Sequence, residues 1–363
     1  MKFILTGGGT SGHINPALTI ARTLEERCKA EGEPCDIIFV GRKIGLEGEL
    51  VPKAGWEFQD VEALPIPMRP SFKLIKVQGA MRRGTATCFK IIDEFKPDAV
   101  ISTGGFVSAP LLRAASAKKI PIVIHESNAF AGRANKLFAR KAALVLTGFP
   151  NCEDEFKTSG KVVFVGNPVR KDVFELDRAA ARAKLGLADD EFLIFAMGGS
   201  LGSATITKFI LDSASAKPQY RFRLSCGKQN TVPIPEDLPS NIEVSEYIDN
   251  PEIYLAAADI CILRSGAITC AEACAAGSCV IFVPYPYAAH DHQTYNANSI
   301  ASSGGCAVIP DDKVQEGLMP LIEELAGDKD RREKMRAAAK ALAVPDTTDR
   351  IADAVMGVIR GQN

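Results

Sequence analysis

Residues 2–17 read KFILTGGGTSGHINPA, which is a short apolar run, a glycine-rich turn and the start of a helical stretch. A continuous apolar run of this length before a glycine turn is typical of a strand that is covered on both faces of a parallel sheet. Residues 192–203 repeat the same order as FLIFAMGGSLGS. Because each stretch opens a strand–turn–helix unit, the sequence predicts two domains built on one plan.

Short apolar runs alternate with amphipathic stretches along the whole chain. This alternation predicts an α/β fold of two Rossmann-like, doubly wound parallel-sheet domains, the first over residues 1–160 and the second over 161–345. The helical stretch at 348–360 follows a break at Pro345 and fits either domain. The predicted strands are residues 2–6, 36–40, 98–101, 121–125, 143–147, 162–165, 192–197, 221–225, 242–246, 259–263 and 279–283.

Size and charge exclude several classes of protein. With 363 residues the chain exceeds the roughly 250–300 residues at which single cores stop growing, so two domains are expected. Lys and Arg number 43 against 44 Asp and Glu, and the net charge of -1 gives no general attraction for nucleic acid. No run approaches the roughly 18 uncharged apolar residues of a membrane span, and the first apolar run is too short for a signal peptide. We therefore expect synthesis and retention in the cytoplasm.

The cysteines and histidines do not predict a metal site. The ten cysteines form no CxxC pair and several lie in apolar runs, which favours reduced thiols packed as small hydrophobes. His290 and His292 flank Asp291, but residues two apart do not share a helix face.

The first glycine turn predicts an anion site. Gly7, Gly9 and Gly12 satisfy the GxGxxG pattern, in which backbone N–H groups at a helix N-terminus attract phosphate. A dinucleotide site also needs an acid after the second strand for the ribose. That strand ends in Gly41 and Arg42, which disfavours NAD and leaves open an NADP-dependent oxidoreductase whose 2′-phosphate Arg42 would bind.

His13 closes the glycine turn and opens the first helix. The helix dipole there favours a neutral imidazole suited to general-base catalysis, and a helix-capping or core role is the alternative. Two further strands end in TGGF at 103–106 and HESN at 125–128. Because ligands bind at the carboxyl ends of parallel strands, the three strand ends together predict a site in the first domain.

Each of two other segments has both a functional and a purely structural interpretation. Glu272 lies in the helical stretch after the strand at 259–263, where a carboxylate can accept both hydroxyls of a ribose or contribute about 0.3–1 kcal/mol as a helix N-terminal charge. The segment 65–90 interleaves cations with large apolar side chains and contains no acid. It is either a contact with an anionic membrane or a helix with one core face and one solvated basic face.

Taken together, these stretches resemble the bacterial undecaprenyldiphospho-muramoylpentapeptide β-N-acetylglucosaminyltransferases, the glycosyltransferases that form lipid II in peptidoglycan synthesis. The resemblance covers nearly the whole chain. It rests on residues 7–16 (GGGTSGHINP), 104–108 (GGFVS), 125–128 (HESN) with Gly132 and Asn135, 166–170 (GNPVR), 198–203 (GGSLGS), 247–248 (YI), 264–272 (RSGAITCAE) and 291–297 (DHQTYNA).

The resemblance implies an inverting, metal-independent enzyme of the GT-B architecture, in which two Rossmann-like domains face each other across a cleft. It implies transfer of N-acetylglucosamine from UDP-N-acetylglucosamine to the C4 hydroxyl of undecaprenyl-diphospho-N-acetylmuramoyl-pentapeptide, without a cofactor. The first domain is implied to face the acceptor and the membrane, with the last helix (346–363) packed on it, and the second to bind the UDP-sugar.

The same resemblance implies roles for single residues. His13 is the general base or orients the acceptor, and the acceptor-diphosphate loops contain Gly9, Gly104 and Gly105. The implied donor-binding residues are Thr10, Ser11, Gly12 and Asn128 near the sugar, Gln293 at its hydroxyls, Arg170, Ser200 near the diphosphate, Ile248 whose backbone reads uracil, and the nucleotide helix turn of Ala267, Ile268, Thr269, Cys270, Ala271 and Glu272, with Glu272 on the ribose.

The resemblance also implies a peripheral location at the cytoplasmic face of the cell membrane. The implied membrane contacts are Arg69, Phe72, Lys73, Ile75, Lys76, Arg82 and Arg83. The implied partners are the two substrates, an anionic membrane surface, and other cell-wall synthesis and division proteins, with no nucleic acid.

Three positions depart from the residues usual in that family, namely Ser11, Ser127 and Leu201. They leave open another acceptor or a weakly active paralogue. A UDP-N-acetylglucosamine 2-epimerase is a further alternative, because it shares the architecture and the donor but needs no lipid acceptor. A non-catalytic subunit that binds a nucleotide sugar is another.

Overall fold

The computed structural model describes residues 1–65, 73–150, 152–158 and 160–361. The chain forms two compact units, of which the first is Met1–Pro168 together with the segment that begins at Asp346, and the second is Val169–Pro345. The sequence predicted the boundary after residue 160. The structure places it after Pro168, because the strand predicted at 162–165 pairs within the first sheet.

A seven-stranded parallel sheet forms the centre of the first unit. Its strands are β1 Lys2–Gly7, β2 Asp36–Gly41, β3 Glu57–Asp60, β4 Ala99–Gly104, β5 Ile122–Glu126, β6 Leu144–Thr147 and β7 Lys161–Phe164. Their spatial order is β3-β2-β1-β4-β5-β6-β7. In register, Lys2 lies opposite Asp36 on one side of β1 and Phe3 lies opposite Ala99 on the other side.

A six-stranded parallel sheet forms the centre of the second unit. Its strands are β8 Phe192–Met197, β9 Tyr220–Ser225, β10 Ile242–Ser245, β11 Ile260–Leu263, β12 Val280–Phe282 and β13 Cys306–Val308, in the spatial order β10-β9-β8-β11-β12-β13. The sequence pattern does not predict β3 and β13. Both are short strands at the edge of a sheet, and β3 reads EFQD, which has no apolar run.

Helices connect the strands in both units. They are α1 Ser11–Ala30, α2 Glu47–Lys53, α3 Lys73–Phe95, α4 Ala109–Lys118, α5 Arg133–Ala139, α6 Lys171–Phe174, α7 Arg178–Lys184, α8 Ala204–Ala216, α9 Pro251–Ala257, α10 Ala267–Ala276, α11 His292–Ala301, α12 Val314–Gly327, α13 Lys329–Leu342 and α14 Thr347–Ile359. Within the described ranges, no helix combines the length and the apolar character that a membrane crossing requires.

The first sheet is covered on both faces, as its continuous apolar runs predicted. Phe3 and Leu5 of β1 pack in one core cluster with Leu24 of α1, whereas Ile4 packs in the opposite cluster with Leu111 of α4. Val355 of α14 lies in the first of these clusters. The chain therefore returns to the first unit at its C-terminal end. All ten cysteines are unpaired and nine are buried, which confirms the prediction of packed thiols.

The parallel topology determines where a site can form. In each sheet the carboxyl ends of all strands lie at one edge, because the strands run in one direction. In the first unit this edge carries Gly7, Gly41, Gly104 and Glu126. Open α/β sheets bind their ligands at this edge.

Candidate functional site

The first helix begins at Ser11, two residues before His13, where the sequence predicts its start. Thr10 precedes it in an extended conformation (φ −147°). The Thr10 carbonyl accepts the N–H of His13 at 3.1 Å and that of Ile14 at 3.2 Å. Ser11, Gly12 and His13 therefore form the first helical turn, where the dipole of α1 carries its positive end.

Two hydrogen bonds hold His13 against the end of β4. The Thr103 carbonyl lies 2.9 Å from Nδ1 of His13. A carbonyl only accepts hydrogen bonds, so Nδ1 carries the proton and the neutral ring has its lone pair on Nε2. The Thr103 hydroxyl donates in turn to the His13 carbonyl at 2.6 Å. A Cβ at Gly7 would lie 1.9 Å from that hydroxyl oxygen, so the contact requires glycine there.

The two glycine turns of the first unit touch each other. Gly8 donates its N–H to the Gly104 carbonyl at 3.3 Å. Gly105 has a φ of +87°, and a Cβ on it would lie 2.2 Å from the Gly8 carbonyl oxygen, so only glycine fits. A Cβ on Gly104 would lie 3.2 Å from two ring atoms of His13. The structure therefore brings both predicted acceptor-diphosphate loops beside the histidine.

A buried carboxyl group that the sequence does not predict lies beneath the first glycine turn. Glu47, at the start of α2, is 1% exposed. Its Oε2 accepts the N–H of Gly9 at 3.1 Å, and its Oε1 accepts the N–H of Arg42 at 3.3 Å. The surrounding LEGELV stretch reads as an ordinary helix start, so nothing in it marks Glu47. The Gly9 N–H, in a loop predicted to bind diphosphate, is thus bonded within the protein.

A second buried carboxylate organises the HESN strand end. Oε1 of Glu126 accepts the backbone N–H of Asn128 at 3.0 Å and its side-chain Nδ2 at 3.1 Å. Oε2 accepts the N–H of Gly132 at 2.9 Å and Nδ2 of Asn135 at 2.8 Å. The amide nitrogen of Asn128, predicted to lie near the donor sugar, is therefore bonded to Glu126 in this structure.

His125 is buried and neutral, and the departure at Ser127 has a structural role beside it. Burial lowers the pKa of His125, against the opposing effects of its hydrogen bond to Gly166 and of the Glu126 charge. Nε2 of His125 donates to the Gly166 carbonyl at 3.1 Å. The Ser127 hydroxyl lies 3.3 Å from Nδ1 and donates to it. Ser127 thus satisfies a buried ring nitrogen.

The glycine turn of the second unit leads into α8 as predicted. The Ser203 side chain accepts the N–H of Ile206 at 3.3 Å and caps this helix. Ser200 and Leu201 lie exposed on the turn, and the Ser200 carbonyl accepts the N–H of Lys228 at 3.2 Å. Because the Leu201 side chain is 54% exposed, the departure at this position changes the surface of the turn rather than its packing.

A buried guanidinium joins three segments at the carboxyl edge of the second sheet. Nη2 of Arg264 donates to the Ser203 hydroxyl at 2.6 Å, and Nη1 donates to the carbonyls of Val283 and Pro284, both at 3.0 Å. Oδ1 of Asp311 completes an ion pair with Nη1 at 2.6 Å. The sequence predicts no role for Arg264, because its partners are distant in sequence.

Residues predicted to bind the donor lie around the start of α10. Of its first six residues, Ala267 and Cys270 are buried, while Ile268, Thr269 and Ala271 are partly buried. The Cys270 side chain is fully buried in the core, so only its backbone is available to a nucleotide.

The side-chain amide of Gln293 and the backbone of Ile248 are the polar groups predicted to contact the donor. Oε1 of Gln293 accepts the N–H of Tyr285 at 3.0 Å, and the Gln293 carbonyl accepts the Ser265 hydroxyl at 2.8 Å. Since its oxygen faces Tyr285, Nε2 of Gln293 is the end that remains to donate. Ile248 follows β10, and none of the described residues offers its amide or its carbonyl a hydrogen bond.

One arginine and three carboxyl groups form a cluster in the second unit. Nη2 of Arg170 donates to Oε1 of Glu252 at 2.5 Å, and Oδ1 of Asp172 lies 3.6 Å from its Nε. Burial raises the pKa of Glu272 from 4.5 to about 7; the charge of Glu252 raises it further, and Arg170 acts in the opposite direction. The cluster therefore contains a carboxyl group that titrates near neutral pH.

The predicted membrane segment is only partly described. The predicted contacts whose side chains lie outside the described residues are Arg69, Phe72 and Lys73. Ile75, near the start of α3, is 70% exposed, and Lys76 and Arg82 are also exposed. Arg83 forms a two-point ion pair with Glu62, in which both N···O distances are 2.7 Å. The charge of Arg83 is therefore already paired.

Comparison with known proteins points to one family. Residues 3–147 match the glycosyltransferase family 28 N-terminal domain, and residues 193–351 match the glycosyltransferase family 28 C-terminal domain. A relative from Acetivibrio thermocellus is 34% identical over 100% of this chain and 99% of its own. A relative from Alkaliphilus oremlandii is 36% identical over 97% of each chain. Both are named UDP-N-acetylglucosamine--N-acetylmuramyl-(pentapeptide) pyrophosphoryl-undecaprenol N-acetylglucosamine transferase.

Solved structures share the two-sheet fold. The crystal structure of MurG from Acinetobacter baumannii gives a TM-score of 0.77 at 26% identity and covers 98% of this chain and 99% of that one. A UDP-GlcNAc 2-epimerase from Neisseria meningitidis gives a TM-score of 0.64 at 16% identity, with 98% and 100% covered. At that identity, the likeness to the epimerase shows the fold alone.

Replacing Glu272 with glutamine removes a carboxyl group whose pKa is about 7 in the folded chain, against an ordinary value of 4.5. Between these values the folded state binds a proton that the unfolded state has released, so the parent loses stability as the pH rises through this window. We expect E272Q to gain stability relative to the parent over the same window. Urea unfolding at a series of pH values measures this difference.

Glu252→Gln provides the matched control. This substitution removes the negative charge of Glu252, which raises the Glu272 pKa, and frees Arg170, which lowers that pKa. The Glu272 pKa should therefore fall, and the pH range over which the protein loses stability should end at a lower pH. Parallel pH curves for the parent and E272Q would contradict the assignment.

Proposed function

We propose, because the chain belongs to glycosyltransferase family 28, that it transfers N-acetylglucosamine from UDP-N-acetylglucosamine to the C4 hydroxyl of undecaprenyl-diphospho-N-acetylmuramoyl-pentapeptide with inversion. The product is lipid II, and the reaction belongs to peptidoglycan synthesis. The observation that carries the proposal is the likeness, over nearly the full length of both chains, to relatives that share one name. Residues at the carboxyl ends of the strands in the two sheets supply the groups that bind the substrates and transfer the proton.

His13 acts as the base. Its Nε2 holds the lone pair because Nδ1 is bonded to the Thr103 carbonyl. Nε2 takes the proton of the acceptor C4 hydroxyl as the oxygen attacks the anomeric carbon from the face opposite UDP. The bond from that carbon to the UDP oxygen breaks and its electron pair leaves with UDP, so the configuration inverts. A positioned base of this kind contributes about 10²–10⁴-fold to the rate.

The second unit binds the donor and stabilises the departing diphosphate. The turn at 198–203 opens α8, whose N-terminal dipole favours an anion. Arg170 supplies a positive charge that Glu252 holds in place. Such preorganised donors stabilise negative charge as it develops on the leaving group. In this assignment the enzyme requires no metal ion and no cofactor, a point that chelation tests.

Nucleoside and sugar recognition follow from the remaining polar groups. Glu272 accepts the ribose hydroxyls, and the backbone of Ile248 pairs with the uracil edge. Nε2 of Gln293 donates to a sugar hydroxyl, since its Oε1 is bonded to Tyr285. We propose donor-sugar contacts in the first unit for Thr10, Ser11, Gly12 and Asn128.

The experiment that tests the function measures UDP release from UDP-N-acetylglucosamine in EDTA, with and without a short-chain lipid-linked muramoyl-pentapeptide. We expect release only when the acceptor is present, together with a new disaccharide product. Turnover of the nucleotide sugar without acceptor would favour a 2-epimerase. Binding of the nucleotide sugar with no turnover in either arm would favour a non-catalytic subunit.

Replacing His13 with glutamine retains a hydrogen-bonding side chain but removes the basic nitrogen. We expect turnover in the same assay to fall by about 10²–10⁴-fold. UDP binding should be unchanged, because Arg170 and Glu272 lie in the other unit. Turnover within a few-fold of the parent would rule out His13 as the base and leave it an orienting role.

The acceptor is anchored in lipid, so we place the protein at the cytoplasmic face of the membrane. The proposed contact is the first half of α3, where Ile75, Lys76 and Arg82 are exposed. Helix α3 ends shortly before the amino end of β4, so its first turn points toward the carboxyl edge that carries His13. This places cations and an apolar side chain near the end of the molecule that the lipid-linked sugar must reach.

Sedimentation with phosphatidylglycerol vesicles tests this contact. Cations near an anionic surface contribute about 1 kcal/mol each, so Lys76→Glu combined with Ile75→Asp should weaken vesicle binding by roughly fivefold or more. Tyr287→Ser is the matched control, because Tyr287 is 82% exposed but lies in the second unit. Equal binding by parent and double variant would place the membrane contact elsewhere.

A further inference from the structure

Arg42 has no role in the function proposed above, although it lies at the same edge of the first sheet. It is the first residue after β2, which pairs with β1 in parallel register, so its backbone lies beside the turn that follows Gly7. The Glu47 carboxylate bonds the N–H of Arg42 and the N–H of Gly9. One buried group therefore holds the Arg42 backbone next to the first glycine turn.

The Arg42 side chain lies against the Phe106 ring, which lies beside this turn. Its guanidinium carbon lies 5.6 Å from the centre of the Phe106 ring. The same ring is close to the first turn, because a Cβ on Gly9 would lie 3.3 Å from Cε1 of Phe106. Phe106 thus contacts both the guanidinium and the glycine turn.

The guanidinium is available to an anion. It is partly buried, and in the described part of the chain no Asp or Glu oxygen lies within 4.0 Å of it. An arginine that lies over an aromatic ring keeps the edge of its planar fork for two parallel hydrogen bonds to an oxyanion. A side chain in this position, with its charge unpaired, is suited to a phosphate ligand.

The end of α1 supplies only part of the positive charge that a diphosphate would need. A diphosphate bound there faces the buried Glu47, whose carboxylate already takes the N–H of Gly9. The helix dipole of α1 offers only about half an elementary charge. A full positive charge on Arg42 would therefore strengthen the binding of a doubly charged group at this turn.

We propose that Arg42 binds the diphosphate of the lipid-linked acceptor and sets the preference for a prenyl diphosphate over a prenyl monophosphate. The inference rests on the proposed function and deepens it by naming the side chain that recognises this part of the acceptor. The guanidinium contacts two phosphate oxygens while the N-terminal turn of α1 faces the remaining negative charge.

Steady-state kinetics of Arg42→Gln, Arg42→Lys and the matched control Lys43→Gln test the proposal. Loss of charge-assisted hydrogen bonds should raise the acceptor KM of R42Q by about 10- to 100-fold and leave the donor KM within about twofold. R42K should recover part of the affinity, because lysine keeps the charge but not the planar fork. K43Q removes the neighbouring exposed cation and should leave the acceptor KM within about twofold of the parent.

A competition assay separates failure of this inference from failure of the function. If the parent transfers no sugar, the proposed function fails, and the kinetic arm does not bear on Arg42. In the parent, geranyl diphosphate should displace a labelled lipid-linked acceptor better than geranyl monophosphate, and R42Q should lose this preference. The proposal is overturned if the acceptor KM of R42Q is unchanged or if its donor KM rises equally. It is also overturned if the parent shows no preference for the diphosphate, and this outcome counts even if R42Q does not fold.

Discussion

The site of the first unit depends on one irregularity where β1 meets β4. Thr6 pairs with Ser102 and Gly7 with Gly104, so Thr103 is an extra residue in β4. Bulges of this kind re-aim a side chain next to functional sites. Here the hydroxyl of Thr103 contacts the His13 carbonyl and its own carbonyl binds Nδ1. The protonation pattern of the histidine ring therefore follows from the register of two central strands.

Buried polar side chains hold the loops at the carboxyl ends of the strands in both sheets. Glu47 and Glu126 accept N–H groups from turns that are distant from them in sequence, and Arg264 donates to a helix cap and to two carbonyls. Removing one hydrogen-bond partner from such a buried group costs about 1–3 kcal/mol. Each loop is thereby kept in one conformation, which preorganises the polar groups around the proposed substrates.

Sequence patterns predicted the elements that depend on residues close to one another in the sequence. The runs at β1 and β8 are apolar because both faces of each sheet are covered, and the glycine turns follow from the close approach of loops. The polar edge strand β3 gives no such signal, and β7 was assigned to the wrong unit because pairing is not local. The sequence also predicted that His13 and Glu272 lie near the start of helices that follow strands. Glu47 was not, because its partners become neighbours only in the folded chain.

The raised pKa of Glu272 connects donor binding to protons. Two ribose hydroxyls donate fully only to an ionised carboxylate, yet burial and the Glu252 charge keep the group partly protonated near pH 7 in the free protein. If Glu272 accepts the ribose as proposed, bound nucleotide lowers its pKa and a proton is released on binding. His13 must also be neutral to act as a base. Donor binding by the second unit should therefore strengthen as the pH rises through the Glu272 pKa of about 7.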